Sequence, residues 1–351
     1  MILITGGAGF VGSHLAVRMK KAYPEKRIIA FDNLKRRGSE LNLLQLRESE
    51  VEFVHGDIRH PSDLDFSNVE WILECSAEPS ALAGIDGSTD YLVHTNLLGT
   101  YHCLELARKN NAGMIFLSTS RVYPVKKIQD LQYDSGTTRF ELKEDQDLSG
   151  VSCHGINEEF PLVGPRTLYG TTKLASELMI AEYAENFSLP MIINRCGVLT
   201  GPWQMGKVDQ GVVVLWMARH FFGGSLSYIG YEGSGFQVRD MLHIEDLADL
   251  IELQLKEPRH FNGKTFNVGG GKGISSSLLE LTSWCEKITG NSISIQRKLE
   301  PRQGDVPWFI TDSRRILNHC VWRPKRNLET ILKEIHQWMD FNQDQLRPIL
   351  S

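Results

Sequence analysis

Apolar positions follow two alternating rhythms through the first half of the chain. Short runs rich in β-branched residues predict buried strands at Ile2 to Thr5, Arg27 to Asp32, Val51 to His55, Trp71 to Cys75 and Met114 to Thr119. Between and after them, Val11 to Ala22, Tyr91 to Asn110 and Leu168 to Asn186 carry helical spacing, and Met191 to Cys196 reads as one more strand. Such alternation builds an α/β fold around a parallel sheet, with the ligand crevice at the carboxyl ends of the strands. After about Thr200 the rhythm changes. Helices are expected at Asp209 to Phe222, Ile244 to Leu255, Ser276 to Thr289 and Leu328 to Phe341, with a short strand at Leu226 to Ile229. The pattern divides the chain into a first domain, 1–199, and a smaller lobe, 200–351, with the segment at about 237–262 packing back on the first domain. Residues 124–166 have little periodicity and many charged and turn residues, which marks an ordered insertion in the first domain.

Composition narrows the picture. The 351 residues are 41% hydrophobic, enough for a full core. Net charge is −5 and basic residues are dispersed apart from Lys35, Arg36 and Arg37, which argues against a nucleic-acid surface. Six scattered cysteines with no Cys-x-x-Cys pair predict neither a disulfide framework nor a metal site. No run approaches the length of a membrane span, and the chain enters a strand at once without a basic leader, so a soluble cytoplasmic protein is expected.

The first strand runs into Thr5-Gly6-Gly7-Ala8-Gly9-Phe10-Val11-Gly12. Gly6 permits a tight turn, Gly9 lets backbone approach a pyrophosphate, and Gly12 allows close packing of helix on strand. The N–H groups and dipole of the following helix attract phosphate charge. Asp32 ends the second strand, twenty residues beyond Gly12. A carboxylate there accepts from ribose hydroxyls and repels a 2′-phosphate, which favours NAD over NADP, although Arg36 and Arg37 stand nearby as candidate phosphate partners. Asp57, after the third strand, is placed to contact adenine or simply to make a turn. These features specify a doubly wound, Rossmann-type parallel sheet, with the C-terminal lobe expected to bind substrate.

Tyr169 and Lys173 stand four apart and share one helix face. A phenol has an ordinary pKa near 10, so using it as a base near neutrality requires about 4 kcal/mol of preferential stabilisation of the phenolate. The Lys173 ammonium and a positively charged nicotinamide supply that by proximity of opposite charge. Thr119 ends the fifth strand, where its hydroxyl would reach a substrate hydroxyl and steady the Tyr169 proton.

Taken together, these residues resemble the extended short-chain dehydrogenases/reductases of the nucleotide-sugar epimerase and dehydratase group. The resemblance covers nearly the whole chain and extends to Asn96-Leu97-Leu98-Gly99-Thr100, Arg239-Asp240-Met241-Leu242-His243 and Arg302-Gln303-Gly304-Asp305. Within the group, Phe31 to Gly38, Phe53 to Arg59, Gln204, Asp209-Gln210-Gly211 and Gln237 to Asp240 are most similar to the 2-epimerases of CDP-linked sugars. The resemblance implies transient oxidation of a nucleotide-diphosphate sugar and return of the hydride to its opposite face, with Thr119, Tyr169 and Lys173 catalytic. It implies that Phe10, Val11, Asn33, Ile58 and Asn96 join Gly6, Gly9, Gly12, Asp32, Asp57, Tyr169 and Lys173 around NAD. Arg239 and Arg302 would hold the diphosphate, Gln204, Gln210 and Asp305 would read base or sugar, and Glu78, Arg139 and Glu158 are further sugar contacts. A homodimer or homotetramer built on the helices 91–110 and 168–186 is implied as well.

Three alternatives stay open: a UDP-sugar 4-epimerase, a net oxidoreductase that releases its reduced cofactor, and a non-catalytic dinucleotide sensor. Sugar 4,6-dehydratases of the group carry an Asp-Glu pair after the catalytic Thr, and this chain has Ser120 and Arg121 there. It also departs from the group at Glu74-Cys75-Ser76-Ala77, where His-Leu-Ala-Ala or His-Leu-Ala-Gly is usual, at Pro124 and at Trp203.

Overall fold

The computed structural model describes every residue except Asp86, Val208 and Asp209. Its central sheet has seven strands in the order Lys264–Val268, Met191–Cys196, Gly113–Thr119, Trp71–Glu74, Ile2–Thr5, Ile28–Asp32, Glu52–His55. The pairings from Glu52–His55 across to Gly113–Thr119 are parallel. Strand order reverses between Ile2–Thr5 and Trp71–Glu74, and a crevice opens beyond the carboxyl ends at such a switch point. This is a Rossmann-type doubly wound sheet.

Alternate residues of each strand serve opposite faces. Leu3, Ile29, Phe31, Ile72, Met114 and Phe116 pack with Leu104, Ala107 and Ile180 from the helices Gly99–Asn110 and Leu168–Phe187. Burying a side chain of this size stabilises by about 1.5–3 kcal/mol. The helix Phe10–Ala22 buries Leu15, Ala16 and Met19. The expected helix from Tyr91 is a composite: Asp90–Val93, a π turn at His94–Leu98, then Gly99–Asn110. Such turns leave the regular ladder and are frequent at functional sites.

The chain folds into two compact units, 1–122 with 168–195 and 247–266, and 123–167 with 196–246 and 267–351. The stretch 124–166, expected as an insertion of the first domain, clusters with the second unit. Its Arg139 bonds Glu280 and Ser275, and its Ile156 N–H donates to the Ile310 carbonyl at 2.8 Å. Of the expected return segment, 247–262 lies in the first unit and 237–246 in the second.

In the second unit Val238–His243 pairs with Val198–Thr200, Ser275–Ser277 and Trp308–Phe309. The helix expected from Ser276 begins at Leu278, because Ser275–Ser277 is a strand and Ser277 then caps the helix. Ser277 Oγ accepts from the Glu280 N–H and Glu280 accepts from the Ser277 N–H, both at 3.0 Å. The expected helix from Asp209 starts at Val212; Asp209 lies outside the described residues, and Gly211 before the helix is left-handed at φ 76°.

Candidate active site

The glycine turn is tight in a way that a side chain would prevent. A Cβ on Gly12 would lie 2.1 Å from the Gly6 carbonyl oxygen, and one on Gly6 would lie 2.8 Å from the Cys75 carbonyl carbon, across the switch point. Gly6 also takes φ 65°, a region glycine enters without penalty. Beneath the turn, Asp32 accepts from the Ala8 N–H at 3.1 Å and the Leu34 N–H at 2.8 Å, one on each oxygen. Burial pushes the Asp32 carboxyl above its ordinary range, against the pull of N–H groups from Leu34, Ala8, Gly9 and Asn33. A carboxylate oxygen can accept more than one donor, so each keeps acceptor capacity. Asn42, which sequence reasoning passed over, donates to the Ala8 carbonyl at 2.8 Å from a fully buried position.

Asn33 and Asp57 meet. Asn33 Nδ2 donates to Asp57 Oδ2 at 2.9 Å, and Arg59 bonds both Asp57 oxygens at 3.0 and 2.7 Å. Burial would raise the Asp57 carboxyl, but the bonds from Arg59 and Asn33 outweigh it and hold the group well below the usual range. Ile58 is buried, and a Cβ on Gly99 would lie 2.9 Å from its Cγ2. Phe10 and Val11 open the helix after the turn.

Asn96 sits in the π turn, fully buried, and its side chain is engaged by the protein itself. It accepts from the Glu78 N–H at 2.8 Å and donates to the Glu78 carbonyl at 3.1 Å. Ser176 Oγ donates to the Asn96 carbonyl at 3.0 Å. Asn96 therefore orders the loop that carries Glu78.

Thr119 closes the strand Gly113–Thr119, and its hydroxyl oxygen accepts from the Arg121 N–H at 3.2 Å. The following turn, Ser120–Val122, packs on the helix Leu168–Phe187. Tyr169 lies half-buried in the first turn of that helix, while Lys173 is only 2% exposed. The Lys173 ammonium stands 3.8 Å from the centre of the Phe116 ring and 3.4 Å from Glu74 Oε2. Glu177, one turn further, accepts from Ser118 and from Arg195. Glu177, Ser118 and Arg195 were not singled out from sequence, and Glu74 stood out only as a departure from the group's pattern. The spacing of Lys173 and Glu177 on one helix face was the available signal for Glu177.

In the second unit, Arg239 donates to Asp305 Oδ1 at 3.0 Å and to the Val306 carbonyl at 2.7 Å. The Asp305 N–H returns to the Arg302 carbonyl at 3.1 Å, so these three residues share one corner. Gln204 is buried; it donates to the Leu199 carbonyl at 2.9 Å and accepts from Thr200. Gln210 pairs its backbone with Lys207, and its neighbour Gly211 lies beside the Gln204 side chain. Arg139 is committed to Glu280 and Ser275, and Glu158 accepts from the Asn267 N–H at 2.7 Å. Asp209, part of the Asp-Gln-Gly stretch, lies outside the described residues. Among the described residues, no helix is long and apolar enough to cross a membrane, and no group of three acidic, His or Cys side chains comes together as a metal site.

A Rossmann-type sheet with a glycine turn at its switch point, an acidic second-strand end and a Tyr–Lys pair defines a dinucleotide-dependent enzyme of the extended short-chain class. Residues 2–269 match the NAD dependent epimerase/dehydratase family, and the chain belongs to it; its cofactor is NAD. It is similar to CDP-paratose 2-epimerase from Salmonella typhi, 29% identical over 345 residues that cover 96% of this chain and 98% of that one. It is 26% identical to a putative UDP-glucose 4-epimerase from Methanocaldococcus jannaschii, over 97% of this chain and 99% of the relative. Among solved structures it resembles dTDP-glucose 4,6-dehydratase (DesIV double mutant) from Streptomyces venezuelae with NAD bound, at a TM-score of 0.79 and 26% identity, covering 99% of both chains.

Proposed function

We propose that this chain is a nucleotide-sugar epimerase, an isomerase of the kind that converts CDP-paratose to CDP-tyvelose. The observation that carries this reading over dehydration is the pair after Thr119. Ser120 and Arg121 stand where sugar dehydratases of the group have an acid and a base, so loss of water has no proton donor and acceptor there. The similarity to CDP-paratose 2-epimerase over nearly the full chain supports the choice of sugar.

When bound, NAD would supply reversible hydride acceptance at the sugar carbon. The glycine turn holds its pyrophosphate and Asp32 its ribose. Tyr169 takes the proton of the sugar hydroxyl as that carbon is oxidised and returns it when the carbon is reduced. Lys173 lowers the energy of the phenolate by its charge, and Thr119 orients the hydroxyl. General acid–base help of this kind contributes about 10²–10⁴-fold. Arg239 and Arg302 hold the diphosphate with planar guanidinium groups suited to phosphate, while Gln204, Gln210, Asp305 and Glu78 contact sugar or base. The active protein is a homodimer or homotetramer.

The full-length similarity to a putative UDP-glucose 4-epimerase favours one second reading, inversion at carbon 4 of a UDP-sugar. Incubation with CDP-paratose, UDP-glucose and related nucleotide sugars, without added cofactor, decides between them by NMR of the inverted carbon. Formation of a dehydrated 4-keto-6-deoxy product would overturn the reading.

A further inference from the structure

Glu74 is a carboxylate where carboxylates are rarely found. It ends a central strand, is fully buried, and points to the apolar face covered by the helices Gly99–Asn110 and Leu168–Phe187. Its strand neighbours in register are Thr5 and Phe116, neither of them ionisable. Among the described residues, the titratable groups that face it are the Lys173 ammonium from one helix and the Cys103 thiol from the other. Among the described residues Glu74 Oε1 has no hydrogen-bond partner, whereas Oε2 lies 3.4 Å from Lys173 Nζ. Burial drives the Glu74 carboxyl above its ordinary range, and Lys173 opposes that shift. Burial and the Glu74 charge likewise push the Cys103 thiol well above its usual value. A buried lone carboxylate is strongly disfavoured, so its persistence beside a buried ammonium marks a counter-ion.

We propose that Glu74 is a positioning residue that fixes Lys173 and, through it, sets the pH at which the Lys173–Tyr169 pair gives up a proton. The proposal rests on those two residues being the proton-transfer pair. With Glu74 ionised, the three groups Glu⁻, Lys⁺ and neutral Tyr sum to zero, and losing a proton leaves a net negative charge in a buried site. With Glu74 neutralised, the same loss takes the site from a net positive charge to zero, which is easier. The direction is the same whichever of the two partners releases the proton, because the titration belongs to the coupled pair. Glu74 therefore tempers an ammonium that would otherwise over-acidify Tyr169, keeping the base basic enough to recover its proton in the return step.

The test is a phenolate titration of the holoenzyme as purified, read by near-ultraviolet absorbance against Tyr169→Phe, which needs no substrate. Glu74→Gln, and Glu74→Met as an apolar alternative should the amide fail to fold, move the Tyr169 transition toward acid by about one to three pH units. Glu74→Asp keeps the charge and holds the transition close to the parent. The acid limb of the turnover–pH profile shifts in the same direction as the phenolate. An unchanged or alkaline-shifted transition in a folded, neutral variant overturns the role of Glu74. A normal phenolate difference spectrum with turnover unaffected by Tyr169→Phe would instead overturn the assignment of the base, so the two failures are told apart.

Discussion

Arg195 donates through Nε and Nη2 to Glu177, at 3.1 and 2.7 Å, in a core where neither side chain is more than 7% exposed. Glu177 also accepts from Ser118, the neighbour of Thr119. Tyr169, Lys173 and Glu177 follow at intervals of four on one helix, so this carboxylate ties the face that bears the proposed proton-transfer pair to two strands of the sheet.

Removing one partner strands the other. Breaking a buried ion pair in this way costs about 3–5 kcal/mol. Glu177→Gln and Arg195→Met are each expected to lower the unfolding free energy by that order in urea titrations. The double variant Glu177→Leu with Arg195→Met should lose less than the sum. In the folded fraction kcat falls while KM changes little, because the pair positions Tyr169 and Lys173 rather than substrate.

The glycine turn makes cofactor retention a direct readout. Gly12→Ala forces a methyl to 2.1 Å from the Gly6 oxygen and is expected to purify without NAD, by absorbance and by release on denaturation. Asp32→Asn keeps the shape but exchanges an acceptor for a donor facing the Ala8 or Leu34 N–H. It should retain less NAD and discriminate less against NADP. Full NAD content in both variants would contradict the site.

Much of this was legible in the sequence, and the reasons are local. The strand at Met191–Cys196 and the helix Leu328–Phe341 appear where periodicity placed them, since their apolar spacing matches one element period. The seventh strand, Lys264–Val268, was not foreseen. Its place beside Met191–Cys196 comes after a long excursion through the second unit, which no local pattern records. The stretch 124–166 lacked periodicity because its order comes from partners distant in sequence, such as Arg139 with Glu280. The Glu74–Lys173 pair joins residues 99 apart, so in the sequence Glu74 is visible only as a departure from the family's usual histidine.

Tyr183 and Glu105 link the helices Leu168–Phe187 and Gly99–Asn110, with the phenol donating at 2.7 Å. The bonds from Arg108 and then Tyr183 lower the Glu105 carboxyl from 4.5 to about 2. Its contribution is therefore present above pH 4.5 and is lost as the pH falls toward 2. Burial, then the bond to Glu105, raises Tyr183 from 10.0 to about 12, so its contribution is present below pH 10 and is lost as the pH climbs through 12. The difference in unfolding free energy between the parent and Tyr183→Phe should be flat between these limits and shrink on either side. A difference that grows toward acid would contradict it.

Tyr169→Phe removes the proposed base and is expected to leave the fold in place. Turnover should fall by about 10²–10⁴-fold, and Lys173→Met should bring a loss of similar order together with weaker NAD retention. A Tyr169→Phe enzyme with parental kcat would place the base elsewhere.

The most direct measurement follows the hydrogen itself. Nucleotide sugar deuterated at the carbon that inverts is turned over without added cofactor, and the product is read by NMR and mass spectrometry. Deuterium is expected to stay on that carbon, in the same molecule, with inverted configuration. Loss of the label to solvent, or its appearance in cofactor added from outside, would contradict a hydride that leaves and returns within one enclosed site.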